Sequence, residues 1–147
     1  MGLQLSLGSP FVRVLVLIYS RWIVVHGERC LALLGVFTVR NDEAVRGLHR
    51  RYLSQFPSVT FQSSCTQAQQ IMVKFVLCSP RLTSNLQNEQ DAHRDLIVLP
   101  IKENMNDGKT LDYFSTVVRQ PFNVSFVFKV DIDEFVHADN LAASLKN

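Results

Sequence analysis

Two aspartates separated by a single residue follow an apolar run near the end of the sequence. Residues 124–130 read VSFVFKV, which predicts a strand, and Asp131-Ile132-Asp133 comes next. Side chains alternate along an extended backbone, so Asp131 and Asp133 would share one side and Ile132 would take the other. Two carboxylates about 7 Å apart can share Mg²⁺ or Mn²⁺, which prefer oxygen ligands and can neutralise a diphosphate leaving group. The alternative is that both acids face solvent or cap the next helix.

A second candidate is the segment 103–110, ENMNDGKT, which lies between a predicted strand and a predicted helix. Its ending, Gly108-Lys109-Thr110, is typical of a phosphate-binding P-loop, in which backbone amides and the lysine hold the phosphates. A P-loop needs its first glycine five residues before the second, and here that position is Glu103. A carboxylate there would repel phosphates, so a P-loop nucleotide enzyme is a distant alternative.

The third candidate is a basic helix. Arg46 and Arg50 are four residues apart and would share one helix face, with His49 and Arg51 beside them. Two guanidinium groups on one face can hold a phosphate bidentately. The alternative is that this face is simply solvated.

Strands and helices alternate along the chain and would position these groups. The apolar run 30–39, CLALLGVFTV, predicts a strand buried on both faces. The pattern then turns helical from Asn41 or Asp42, either of which would cap the helix, to about Phe56, with Pro57 after it. The apolar positions that lie near one face of this helix are Val45, Leu48, Tyr52 and Leu53.

Three more strands and two more helices complete the pattern. The strands are expected at 71–78, 95–100 and 124–130, and the helices at 82–93 and 110–118. This alternation predicts an α/β fold with a mostly parallel sheet and flanking helices. Because ligands of such sheets bind at the carboxyl ends of the strands, the aspartates that follow the last strand would stand where chemistry occurs.

Composition fits a core-forming domain. The chain has 147 residues, about one domain, of which 47% are hydrophobic and 19% charged. Fifteen Lys and Arg against 13 Asp and Glu give a net charge of +2, too weak to indicate nucleic acid as a partner. One disulfide is possible among the three cysteines, with one thiol left over. Asn123-Val124-Ser125 is a glycosylation sequon that could be used only in a secretory lumen.

The N-terminal segment, residues 1–29, is set apart from the domain predicted at 30–147. Its apolar stretch, residues 11–25, contains Arg13 and Arg21. Each arginine near the centre of a spanning helix would cost about 2.5–3.5 kcal/mol on the insertion scale. We therefore expect a strand or helix here, with a weak signal anchor as the alternative.

Taken together, these segments resemble the β-1,3-galactosyltransferase-like family of hexosyltransferases, in particular its plant and protist branch. LLGVFTVRND with VRGLHRRYL looks like the family's opening strand and Arg-x-x-x-Arg helix, and VKFVLC looks like its second strand. The most specific block is NEQDAHRDLIVLPIKENMNDGKTLDYFSTV, with its Glu-Asn-Met-Asn-x-Gly-Lys-Thr signature. FVFKVDIDEFVHADNLAASL resembles the strand that carries the Asp-x-Asp motif and the helix after it, so the resemblance covers residues 33–145.

The resemblance implies a glycosyltransferase A-type fold that transfers a hexose, of the galactose or N-acetylglucosamine type, from a UDP-sugar to a glycan or glycoprotein acceptor. It also implies an inverting, Mn²⁺- or Mg²⁺-dependent reaction in the Golgi lumen, with membrane association of the full-length protein. Carried over position by position, Asp131 and Asp133 would bind the donor and the metal. Arg46, Arg50 and Lys109 would bind the donor.

Two features depart from the family pattern. The family usually carries three acids in a row, whereas the middle position here is Ile132. The resemblance also places the acceptor half, the catalytic base and a late metal-binding histidine beyond residue 147, so the expectation is a donor half truncated after the Asp-x-Asp motif and no catalytic residue can be named. The alternative is a non-catalytic module that keeps the nucleotide-sugar fold.

Overall fold

A computed structural model of the chain describes residues 29–104 and 108–146. The predictions for residues 11–25 and for most of the N-terminal segment lie outside the described residues. Among the helices that the structure does describe, none is both long and apolar enough to cross a membrane.

Strands and helices alternate as the sequence pattern predicts. The strands are β1 (Cys30–Phe37), β2 (Val59–Thr60), β3 (Ile71–Cys78), β4 (Leu96–Leu99) and β5 (Val124–Asp131). The helices are α1 (Glu43–Leu53), α2 (Ser84–His93), α3 (Lys109–Arg119) and α4 (Ala138–Ser144). The predicted bounds of the four long strands and three longer helices differ from these by a few residues, and the two-residue β2 was not predicted.

Every strand pairing in the described part of the chain is parallel. β1 is central, with β3 on one side and β5 on the other. The first residues of β3 pair with β2 and its last residues pair with β4, so both short strands lie along the outer edge of β3. The α/β fold with a mostly parallel sheet is therefore confirmed, and the carboxyl ends of β1, β3, β4 and β5 meet at one edge of the sheet.

Side chains on both faces of the sheet are buried. One face packs against α1, α2 and α4, with Leu34, Val73 and Phe75 near its centre. The other face packs against α3, and its centre contains Leu33, Met72 and Tyr113. All eight residues of β3 are buried, and seven of them are apolar. The exception is Lys74, whose ammonium group donates to the carbonyls of Phe61 and Arg94.

Helix α1 buries a different face from the predicted one. Val45 and Leu48, two of the apolar residues predicted to share a face, are 39% and 46% exposed. The residues of this helix that point inward are Arg46, His49 and Leu53, spaced three and four residues apart. Charged and polar side chains therefore occupy the inner face of α1, because acidic and carbonyl groups elsewhere in the fold compensate them. Of the four apolar residues predicted to lie near one face, Leu53 is buried and Tyr52 is half-buried, whereas Val45 and Leu48 are exposed.

The three cysteines form one disulfide and leave one free thiol, as their number allows. Cys30 and Cys65 form a disulfide that joins the start of β1 to the connection before β3, across 35 residues of sequence. Cys78, at the end of β3, is a free and buried thiol. One disulfide and one leftover thiol are thereby confirmed.

Candidate functional site

The Asp-x-Asp motif lies at the edge of the sheet where parallel strands present their carboxyl ends. Asp131 is the last residue of β5 and stands directly opposite Phe37, the last residue of β1. Ile132 packs against the core, while Asp133 is exposed. Residues 132 and 133 form a turn, in which the amide of Glu134 donates to the carbonyl of Asp131 at 3.0 Å. The prediction of an extended triplet was therefore wrong, although the apolar side chain of Ile132 does lie inward.

Asp131 already has a cationic neighbour. The ammonium nitrogen of Lys129 lies 2.9 and 3.0 Å from its two carboxylate oxygens. Both side chains are partly exposed, at 31% and 41%, so water screens the pair and its contribution to stability is small. A cation that binds Asp131 would compete with this ammonium group.

The two aspartates can supply only part of a metal's coordination shell. No group of three or more His, Cys, Asp or Glu side chains in the described ranges is placed to hold a metal ion. Two carboxylates still fit Mg²⁺ or Mn²⁺, because these ions are often bound through one or two carboxylates together with substrate phosphates and water. The donor set is thus one that needs a phosphate ligand to complete it.

His49 fixes the backbone between the two aspartates. Its Nε2 lies 2.6 Å from the carbonyl oxygen of Ile132, and because a carbonyl only accepts, Nε2 carries the hydrogen. The imidazole is buried and stacks on the ring of Phe135, with centroids 4.5 Å apart and planes 9° apart. Helix α1 therefore holds the Asp-x-Asp segment through a hydrogen bond and a stacked ring.

Arg46 is paired within the protein. Its side chain is completely buried, and its Nη2 and Nε lie 2.6 and 2.9 Å from the carboxylate of Glu89 on α2. Its Nη1 donates to the carbonyl of Val39 at 2.7 Å, and its Nη2 donates to that of Arg40 at 3.4 Å. Arg46 thus holds the turn after β1 in place from beneath.

Arg50 shares this network. It donates to Glu89 at 2.7 Å and to both carboxylate oxygens of Asp95, at 2.8 and 2.9 Å, and its guanidinium carbon lies 4.9 Å from the centroid of the Phe75 ring. Burial alone would lower the pKa of Arg50, but the hydrogen bonds and charges of Asp95 and Glu89 more than offset it and raise the pKa. The guanidinium stays charged, and the network joins α1, α2 and the start of β4.

Lys109 connects the ends of two strands. Its ammonium nitrogen donates to the carbonyl of Thr38, after β1, at 2.7 Å and to Glu103 at 2.6 Å. The other carboxylate oxygen of Glu103 accepts from the backbone amide of Cys78, at the end of β3. The Lys109 side chain is fully buried, whereas that of Glu103 is 28% exposed. This ion pair therefore fixes the ends of β1 and β3 relative to the start of α3.

Replacing Lys109 with methionine is expected to lower the free energy of unfolding by about 1–3 kcal/mol, because the Thr38 carbonyl and the Glu103 carboxylate lose a buried donor. Denaturant unfolding followed by circular dichroism measures the change. Lys129→Met is the matched control, because its pair with Asp131 is screened and should contribute no more than about 1 kcal/mol. Equal stability of the two variants would contradict the bridging role of Lys109.

Two open clefts flank the turn at Arg40 and Asn41. The larger, about 400 Å³, lies between this turn and the start of α2. The smaller, about 310 Å³, lies between the turn, the end of β3 and Glu103. Cys78 lines the smaller cleft, and burial together with the charge of Glu103 raises the pKa of its thiol, so it stays protonated at neutral pH. Asp131 and Asp133 are not among the described residues that line either cleft.

The structure gathers some of the predicted site residues and separates others. Lys109 and Lys129 place their ammonium nitrogens 5.4 and 5.0 Å from the centroid of the Phe37 ring, so Lys109 stands at the same edge as Asp131. Arg46 and Arg50 lie beneath that edge in the ion-pair network, and a direct contact between Arg46 and a ligand would require the network to open. Their predicted donor-binding roles stay predictions.

Four residues of this arrangement were missed as partners at the sequence level: Glu89, Asp95, Glu103 and His49. Glu89 and Asp95 stand on or beside a polar helix, where acids usually face solvent. The sequence indicated these acids only indirectly. If the helix face that carries Arg46 and Arg50 is buried, the two arginines need acidic partners from elsewhere in the chain. Glu103 was noted only as an obstacle to a P-loop, and it proves to be the partner of the lysine in the same segment.

These features define an α/β protein with a parallel sheet, whose strand ends present acidic and basic groups at one edge. The family model described as Galactosyltransferase matches residues 60–147, which is more than half of the chain. The chain therefore belongs to the galactosyltransferase family, and its mostly parallel sheet with flanking helices is consistent with a glycosyltransferase A-type domain. No significant match was found among curated proteins.

Proposed function

We propose that the chain carries the donor-binding site of a hexosyltransferase related to the β-1,3-galactosyltransferases. In this proposal a hexose of the galactose or N-acetylglucosamine type passes from a UDP-sugar to a glycan or glycoprotein acceptor, with inversion. The reaction depends on Mn²⁺ or Mg²⁺ and takes place in the Golgi lumen. Membership of the galactosyltransferase family supports a nucleotide-sugar donor and a glycan acceptor. The disulfide between Cys30 and Cys65 supports an oxidising lumen.

One observation carries the proposal: the position of Asp131 and Asp133 at the carboxyl end of β5. Asp131 ends β5 directly opposite Phe37, the last residue of β1, and Asp133 follows two residues later. Asp133, which is exposed, would be a direct metal ligand, and Asp131 would be the second. A divalent ion held there would neutralise the diphosphate of the donor.

The surrounding residues would orient the diphosphate. The Lys129 ammonium is within hydrogen-bond distance of Asp131 and is partly exposed, so it can turn from the carboxylate to a phosphate oxygen when a metal takes its place. Lys109 is fully buried and paired with Glu103, so it would contact a phosphate only if that ion pair opened. Arg46 would act mainly by holding the turn after β1, which borders both clefts, and Arg50 by holding Glu89, the partner of Arg46.

The test is a titration of the chain with UDP by isothermal calorimetry, with and without Mn²⁺. We expect Mn²⁺ to tighten UDP binding by about tenfold or more, equivalent to about 1.4 kcal/mol, and Asp133→Ala and Asp131→Ala to remove that gain. Asp91→Ala is the matched control, because Asp91 is an exposed acid on α2 away from the strand ends.

UDP binding that ignores Mn²⁺ in the unchanged chain would overturn the donor-site proposal. ATP binding that needs Lys109 and ignores both aspartates would favour the P-loop alternative instead. If UDP binding depends fully on the metal but the chain neither transfers nor hydrolyses UDP-hexoses, the donor-binding site is supported and the chain is a non-catalytic binding module.

A further inference from the structure

The sequon Asn123-Val124-Ser125 lies where β5 begins, at the end of the sheet opposite to the candidate site. We propose that Asn123 is an N-glycosylation site of the folded domain. It is the only Asn-x-Ser/Thr tripeptide with a non-proline centre in the sequence, so a glycan found on the chain can be assigned to it. The inference does not depend on transferase activity.

The local structure leaves the acceptor amide available. Asn123 stands in the short connection between α3 and β5, and its backbone carbonyl accepts from the amide of Cys30 at 2.8 Å. Its side-chain amide has no hydrogen bond to any residue that the structure describes, and no buried side-chain polar atom of the described residues is without a partner. The side-chain amide of Asn123 is therefore reached by solvent, and Ser125 is exposed.

The disulfide is a second, independent feature that points to the same compartment. The backbone amide of Cys30 donates a hydrogen bond to the carbonyl of Asn123, and the side chain of Cys30 forms the disulfide with Cys65. Disulfides of ordinary proteins form and persist in oxidising compartments, and the secretory lumen is where such sequons are used. A disulfide and an accessible acceptor thus occur side by side on this domain.

The modification is a simple group transfer. The Asn123 amide nitrogen forms a bond to the anomeric carbon of an oligosaccharide carried on a lipid diphosphate. The bond between that carbon and the diphosphate oxygen breaks, the lipid diphosphate leaves, and one amide proton is lost to solvent. No oxidant or metal of the domain itself takes part.

The position of the glycan is compatible with a ligand site at the other end of β5. The eight residues of this strand separate Asn123 from Asp131 by roughly 25 Å at the usual rise per residue. Within the described ranges β5 has one partner strand, β1, and Phe126 on it is 43% exposed. A glycan at Asn123 would therefore lie at the far end of β5 from Asp131.

The experiment expresses the full chain behind a cleavable secretion signal in eukaryotic cells and compares electrophoretic mobility before and after peptide-N-glycosidase. We expect the unchanged chain and Ser125→Thr to shift on digestion, because both keep the sequon. Asn123→Gln and Ser125→Ala should migrate as the digested protein and show no shift. Alkylation of the secreted chain before and after reduction checks that the Cys30–Cys65 disulfide has formed.

Secreted chain that has the disulfide and shows no glycosidase shift would overturn the proposal. A shift that persists in Asn123→Gln would overturn it as well, because the modified residue would then be another one. Mobility is read without any UDP or metal, so a failure here is distinguishable from a failure of the donor-site proposal.

Discussion

Replacing Glu89 with alanine is expected to lower the free energy of unfolding by about 3–5 kcal/mol, since it leaves a buried charge without its partner. The carboxylate of Glu89 accepts from Arg46 at 2.6 and 2.9 Å and from Arg50 at 2.7 Å. The side chains of Arg46 and Glu89 are 0% and 2% exposed, so water cannot replace the lost acceptor without opening the fold. Denaturant unfolding followed by circular dichroism measures the loss.

Two variants separate the buried pair from a general effect on α2. Asp91→Ala removes an exposed acid two residues away and should change the stability by no more than about 0.5 kcal/mol. Glu89→Gln keeps an acceptor oxygen and removes the charge, so its stability should fall between those of Glu89→Ala and the unchanged chain. A loss of less than about 1 kcal/mol in Glu89→Ala would show that Arg46 has found another acceptor or reaches water.

The same carboxylate gives the domain a predictable sensitivity to acid. Burial alone would raise the pKa of Glu89, but the hydrogen bonds and charges of Arg46 and Arg50 more than offset it and hold the pKa below its ordinary value of 4.5. A carboxyl group whose pKa is lowered by folding stabilises the fold above its unfolded pKa and loses that contribution as the pH falls through the folded value. The stability difference between the unchanged chain and Glu89→Gln should therefore shrink below about pH 4.5.

The strands and helices were predictable because their hydrophobic patterns are local. β3 is buried on both faces and reads as an apolar run interrupted by one lysine, and β5 reads as a mostly apolar run that ends at the first acid of the Asp-x-Asp motif. The parallel arrangement followed from the helical connections between strands. These features need only the spacing of residue types along a short window.

The inner face of α1 could not be predicted in the same way. A pattern of polarity places Val45 and Leu48 inward, whereas the fold places Arg46 and His49 there. The deciding partner, Glu89, is 43 residues away from Arg46 in sequence, and nothing local in the helix shows that it exists. The disulfide partner of Cys30 could not be identified from the sequence for the same reason, because only the fold brings Cys65 next to it.

Replacing His49 with alanine is expected to weaken both the fold and the Asp-x-Asp site. The loss of a buried ring and of its hydrogen bond to Ile132 should lower the free energy of unfolding by about 2–4 kcal/mol. Because Ile132 lies between the two aspartates, loss of this hydrogen bond also frees the backbone segment that positions their carboxylates. We expect UDP binding in the presence of Mn²⁺ to weaken by about tenfold, equivalent to about 1.4 kcal/mol.

Two further variants distinguish the hydrogen bond from the packing of the ring. His49→Leu fills much of the space without a donor, whereas the amide nitrogen of His49→Gln can still donate to the Ile132 carbonyl. We expect faster amide hydrogen exchange at residues 131–134 and weaker UDP binding in His49→Leu, and near-normal values for both in His49→Gln. Leu48→Ala, on the exposed side of the same helix, should change neither.

Equal hydrogen-exchange rates in His49→Leu and the unchanged chain would contradict the positioning role of His49, whatever UDP binding shows, because hydrogen exchange reports directly on residues 131–134. If exchange rises and UDP affinity does not change, His49 positions the segment but the segment does not bind the donor.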